Sequence, residues 1–229
     1  MTKPHGRKTK QKVGEILLEP HRETAMEMLM QIPDEQLVGH FFSHFYNKSD
    51  LVKFRSIAAM GALGSRMAQK NMEKARIVLR RIMWNLNDES GGIGWGSPEA
   101  MGEILGQSPE LALEFKSILF SYLDPDGNYL EHEMLQRGIL WGIGTYLESS
   151  PRDLDEKTKS LLFGYLHSLD PVKKGYAIRA LMNARCFDCS HVPENIITDN
   201  NLIDIFTDWN FISTRISDMA ICENRKTFI

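Results

Sequence analysis

The sequence predicts an all-α fold, an α-α superhelix of about five helix pairs. Three observations predict it. Apolar residues recur at three- and four-residue spacing almost throughout the chain. No convincing period-2 alternation follows the first residues. Similar helix pairs return about every forty residues.

The elements follow in order. The spacing predicts a first helix over 21–32 and a second over 34–47, opened by Pro33 and Asp34, with Leu37, Phe41 and Phe45 on its apolar side. Helices over 50–69 and 71–87 come next. Ser97-Pro98 and Ser108-Pro109 are start signals: the serine oxygen accepts from free backbone amides, and proline suits the first helical position. Further helices are predicted over 128–150, 154–169 and 170–185, and in the last third over 193–209 and 210–224.

The second member of each pair carries a compact residue within an apolar stripe. Taking Gly61, Gly102, Gly142, Ala180 and Ile221 as equivalent gives intervals of 41, 40, 38 and 41 residues. One helix pair cannot bury its apolar face alone, so neighbours must stack, and small residues let the second helices approach closely. Asp50, Val52, Arg55, Ala58, Ala59, Leu63 and Gly64, and again Asp170, Val172, Lys173, Lys174, Ala177, Ala180 and Leu181, resemble the Asp, Val-Arg, Ala-Ala-x-Ala-Leu-Gly pattern of HEAT repeats of the phycobilisome-lyase type. The resemblance runs over roughly 34–225. It implies a HEAT-like α-solenoid, here placed over 15–229 as a single domain, and does not by itself specify an activity.

The chain has 229 residues, a net charge of −3 and 25% charged residues, the balance of an ordinary soluble protein rather than a nucleic-acid or membrane binder. No apolar run reaches the ~18–20 residues of a membrane span. Residues 1–14, basic with no apolar core after them, read as a solvated flexible tail that could touch an acidic partner, not as a secretory signal. Three cysteines, an odd number, point to a reducing cytoplasm.

The segment Trp84–Gly96 stands out. It holds Asp88 and Glu89, the tryptophans Trp84 and Trp95, and glycines at 91, 92, 94 and 96. The carboxylates could bind a cation or move a proton, the rings could wall a ligand, and the glycine amides could meet an anion. No lysine of a phosphate-binding loop follows and no strand precedes, so nucleotide fingerprints fail. The competing reading is a capped turn with tryptophans plugging the edge of the array. Asp124, Asp126 and Asn128 have the odd-position spacing of a calcium loop, but Tyr129 and Leu135 stand where glycine and glutamate are required, so this is a turn. With Asp50, Asp170 and Asp208 read as helix caps, the same edge is acidic.

Cys186, Cys189 and His191 offer three soft ligands in six positions, and Cys222 could be a fourth for zinc or an iron–sulfur cluster. A redox dithiol and ordinary packed thiols compete with that reading. Arg55, Arg137, Lys173, Lys174, Arg179 and Arg215 fall on the second helices, which line the concave face in solenoids. Pairs such as Asp50–Arg55, Asp170–Lys174 and Asp208–Arg215 would form the ladder that the HEAT resemblance implies. Some HEAT-like folds are alkylpurine DNA glycosylases, which would give Trp84, Trp95, Trp141 and Asp88 roles in such a groove. His40 and His44, four apart, fit packing against an earlier helix better than a metal site.

The expectation is a non-catalytic interaction module that holds another protein through its concave face and the 84–96 loop. Trp84, Asp88, Glu89, Trp95 and Trp141 are its contact residues. The alternatives are a metalloprotein built on Cys186, Cys189, His191 and Cys222, or an enzyme whose acid is Asp88 or Glu89.

Overall fold

A computed structural model describes residues 4–87, 94–188 and 192–221. The fold is all-α, with one small two-stranded sheet. Its helices are α1 (Pro4–Ile16), α2 (Arg22–Met30), α3 (Asp34–His44), α4 (Asp50–Lys70), α5 (Met72–Leu86), α6 (Ser97–Gln107), α7 (Pro109–Ser121), α8 (Glu133–Ser149), α9 (Glu156–Tyr165), α10 (Pro171–Asn183), α11 (Glu194–Ile197) and α12 (Ile216–Met219). Strands β1 (Leu202–Thr207) and β2 (Asn210–Arg215) lie between α11 and α12. Among the described residues, no helix is long and apolar enough to cross a membrane.

The second helices form an inner row in which α4 packs on α6, α6 on α8 and α8 on α10. Outer helices back them: α3 on α4, α5 on α4 and α6, α7 on α6 and α8, and α9 on α10. Small residues set the spacing of the inner row, as the forty-residue pattern predicts. A β-carbon on Gly102 would sit 2.2 Å from the Gly142 carbonyl oxygen, and one on Gly142 would sit 2.5 Å from the carbonyl oxygen of Pro98. At this crossing the two helices meet backbone to backbone, and no side chain fits between them.

Local signals mostly place the helix starts correctly, but several caps are not the predicted ones, and Ser108 opens α7 without a side-chain bond to its amides. Asp170 accepts from the amides of Val172 (2.9 Å) and Lys173 (3.4 Å), an N-cap as expected. Helix α4 is capped by Ser49 rather than Asp50. Helix α6 opens from Gly96 in the left-handed region (φ 72°), and the buried Ser97 hydroxyl has no hydrogen-bond partner, so the predicted serine cap is not made. Asp124 and Asp126 form a turn, pinned by Lys157 of α9 at 2.6 and 3.2 Å.

Three expectations are corrected. Residues 4–14 of the predicted flexible tail belong to a helix over 4–16, largely exposed over 6–12, with Val13, Ile16 and Leu17 buried. Their i, i+3, i+4 spacing places one apolar stripe against α2 and α3. There His44, buried and short of a partner at Nε2, faces Gly14. The helices predicted over 193–209 and 210–224 are largely replaced by an antiparallel hairpin pairing Leu202 with Arg215 and Thr207 with Asn210. Ile203 and Ile205 point inward with Asp204 outward, a short period-2 alternation. Asp208 and Trp209 make a two-residue turn with φ of 44° and 68°, placing Asp208 at a hairpin tip rather than a helix cap. Among the described residues the expected pairs Asp50–Arg55, Asp170–Lys174 and Asp208–Arg215 are not made, and Arg55, Asp170 and Lys174 find other partners. Arg137 of α8 reaches Asp170 at 2.7 Å, Lys174 pairs with Asp199, and Arg55 donates to backbone carbonyls.

The hairpin closes the array. β1 rests on α10 and β2 on α4, the two ends of the inner row. Trp209, fully buried, donates from Nε1 to the Glu19 carbonyl at 2.9 Å. Arg55 donates to the carbonyls of Trp209 (2.9 Å), Leu17 (2.9 Å) and Glu19 (3.0 Å). One arginine therefore ties the hairpin tip to the segment that follows α1.

Candidate functional site

Between the hairpin tip and the inner row lies a cleft of about 560 Å³, within the usual size of small-ligand sites. Glu103 and Gln107 enter from α6, and Trp141, Thr145 and Glu148 from α8. Arg179 comes from α10, Arg22 from the start of α2, and Phe206 to Trp209 from the hairpin.

Arg179 is the centre of this geometry. Its side chain is only 7% exposed. The guanidinium stacks 4.1 Å from the Trp141 ring, an attraction between cation and ring quadrupole. Nη1 donates to the Trp141 carbonyl at 3.4 Å and to Thr145 Oγ1 at 3.3 Å, both long contacts. Nη2 lies 3.7 Å from Glu148, and Nε has no acceptor. Gly144 makes room for the group: a β-carbon there would sit 2.9 Å from Nη1. Burial holds the Arg179 pKa below the usual arginine value, opposed by Glu148 and Glu103.

Glu103 is half-buried and accepts from Gln107 Nε2 at 3.3 Å. Burial raises its pKa above the usual carboxylate value; Arg179 opposes the rise and Glu148 adds to it. A second acid, Glu99, lies deeper in the same inner row. It is 6% exposed, one oxygen has no partner, and it fits only because Gly138 lacks a β-carbon. Burial raises its pKa too, with Lys53 opposing. Beside it, Trp141, Tyr176, Phe54, Phe206 and Phe211 form a continuous aromatic cluster with neighbouring ring centroids 5.1–5.5 Å apart.

The predicted contact residues are not gathered at one place. Trp84 is 73% exposed near the C-terminal end of outer helix α5. Trp95 is half-buried and meets the His132 ring edge-on at 5.5 Å. Trp141 is 1% exposed, a wall of the cleft and core rather than a free surface anchor, packed against Phe54, Tyr176 and Arg179. Asp88 and Glu89 lie outside the described residues, as do Cys189, His191 and Cys222. Cys186 is half-buried and its thiol donates to the Ala184 carbonyl at 3.4 Å. Among the described residues no group of three or more histidine, cysteine, aspartate or glutamate side chains could hold a metal ion.

Sequence reasoning named Arg179 only as one of several basic residues, and it missed Glu103, Glu148 and Arg22. The available signal was charge at inner-row positions: Glu103 with Gln107, and Thr145 with Glu148, sit at i, i+4 and i, i+3 spacing on helices otherwise buried on that side.

No family model matches the chain. It is similar to an uncharacterized protein of Archaeoglobus fulgidus, 24% identical over 188 residues that span 82% of this chain and 96% of that protein. Among solved structures it resembles the crystal structure of an engineered protein, with a TM-score of 0.44 and 16% identity over 80% of this chain and 81% of that one.

Proposed function

We propose that this chain is a non-catalytic interaction module of the HEAT-repeat type, working in the cytoplasm and holding a segment of a partner protein on its inner face. The observation that carries this reading is the cleft. A helical array builds its binding surface along the inner row, and here a cleft opens along that row between the hairpin tip and Arg179, Glu103 and Glu148. The lining mixes both signs of charge, which suits a polypeptide better than a phosphate backbone. Trp84, an exposed ring on the outer side, is a second contact candidate because aromatic side chains are frequent anchors.

The test is capture of a partner by the tagged full chain from lysate of the source organism, repeated with three variants. Glu148→Lys reverses a partly exposed charge at the cleft and should abolish capture without lowering the melting temperature. Glu110→Lys, an equal reversal on exposed α7, should leave capture intact. Trp84→Ala reports whether the outer edge adds to binding. Capture that survives Glu148→Lys removes the inner face from the reading.

A further inference from the structure

We propose that the cleft binds a compact group carrying both charges, its carboxylate on Arg179 and its cationic nitrogen between Glu103 and Glu148. This rests on the reading that the cleft is the recognition site and names the chemistry it recognises.

The guanidinium is nearly buried yet loosely held. Its polar contacts run from 3.3 to 3.7 Å, and Nη1 makes its two hydrogen bonds. Nε–H and one Nη2–H point the same way, and a carboxylate uses that edge for two parallel hydrogen bonds. In this protein that edge is the unfilled one: Nε has no acceptor, and Glu148 stands off Nη2 at 3.7 Å. A buried charge left this way calls for an anion. Glu148 does not fill the need, because its side chain is 44% exposed and turned partly to solvent.

The carboxylates make the complementary demand. Glu103 lines the same cleft as Arg179, yet among the described residues no ion pair within 4.0 Å joins them. The two opposite charges face a shared space instead of each other. A purely anionic ligand would sit against Glu103, Glu148 and Asp208; a purely cationic one would leave Arg179 unmet. A group with both charges answers both, and Trp141 offers an apolar wall alongside.

Isothermal titration of the full chain tests this with glycylglycine, with glycylglycinamide (carboxylate blocked) and with N-acetylglycylglycine (ammonium blocked). A second series, acetyl-Gly-Gly-Lys and its C-terminal amide, presents the same two charges at the end of a longer chain. The unblocked member of at least one series should bind, and its blocked forms should bind at least tenfold more weakly. Binding in the first series assigns a free amino-acid-type ligand; binding in the second alone assigns a peptide C-terminus. Arg179→Lys should weaken the unblocked probe at least fivefold. Should that variant fail to fold, Glu103→Gln, nearly the same shape, keeps the question open to test. It should weaken, at least fivefold, whichever unblocked probe binds and, where that probe is glycylglycine, leave N-acetylglycylglycine unchanged. A blocked probe that binds as well as its parent overturns the inference, as does indifference to Glu103→Gln. If no probe binds while Glu148→Lys still abolishes partner capture, the two-charge ligand is wrong and the interaction reading stands.

Discussion

The inner row of helices and the clasp that closes it are held by opposite means. In the row, α6 and α8 touch through glycine backbones, and the contact is made by leaving side chains out. In the clasp, Trp209 and Arg55 are large side chains whose polar ends donate to carbonyls of distant segments. The row gains dispersion contact along a repeated geometry. The clasp joins residues 17–19 to residue 209, and no repeat calls for it. A stacked array leaves its two ends unpartnered; here the ends are tied across the inner face, and the closure leaves the charged cleft as the opening.

The largest effect should come from filling the closest approach in the row. Helix propensity favours alanine over glycine by about 1 kcal/mol, so Gly102→Ala would stabilise an isolated helix. The neighbour of the new methyl is the Gly142 backbone, which cannot rotate away, so α6 and α8 must separate along their contact. Overpacking costs about 1–3 kcal/mol and at times more, and a methyl 2.2 Å from a carbonyl oxygen belongs at the upper end. Chemical denaturation should show a net loss of about 3 kcal/mol or more. Gly39→Ala on outer helix α3, where nothing lies within 4 Å, should be neutral or stabilising by up to ~1 kcal/mol. Equal effects at the two sites would dissolve the contrast.

Next in size is the clasp. Arg55→Met keeps much of the side-chain bulk and strands two carbonyl acceptors, those of Leu17 and Trp209, each worth about 1 kcal/mol or more when left buried and unpaired, while the Glu19 carbonyl keeps the Trp209 indole. Hydrogen exchange should rise at 17–19 and across β1 and β2, while the inner amides of α6 and α8 keep their protection. That pattern would mark the clasp as a separate opening unit. Uniform loss of protection would show row and clasp unfolding together.

The row was legible in the sequence and the clasp was not, for a physical reason. Gly61, Gly102, Gly142 and Ala180 recur at near-even spacing on the helices of the inner row, so the spacing betrays the helices. The hairpin solves a problem posed once. Its turn residues, Asp208 and Trp209, both adopt positive φ, where glycine and asparagine are the usual signals. A tryptophan there is chosen by its burial and its bond to Glu19, a partner 190 residues away. The cleft was half-legible for the same reason. Arg179 showed as a basic residue on a second helix, but its place in one cleft with Glu103, Glu148 and the hairpin tip shows only in the folded chain. The short apolar stripe of α1, Val13, Ile16 and Leu17, was outweighed by the lysines around it.

The smallest effect concerns Glu99, and it separates a carboxylate held by the row from those at the cleft. Its carboxyl is buried among α6, α8 and α10 with one oxygen unpaired, and burial raises its pKa above the ordinary 4.5 despite Lys53. A folded-state pKa above the unfolded value means that folding takes up a proton. The favourable contribution is complete below the unfolded pKa and is lost as pH rises through the folded one. Glu99→Gln removes the titration. At pH 8 the variant should be more stable than the parent by about 1 kcal/mol, the scale of relieving an ill-satisfied buried group. The difference should shrink toward zero near pH 4. Glu103 is raised in the same direction and His44 is lowered by its own burial, so both also bend the parent's pH profile. Subtracting variant from parent at each pH cancels them. A difference that stays constant with pH would mean that Glu99 titrates alike in the folded and unfolded chains and that Lys53 offsets its burial.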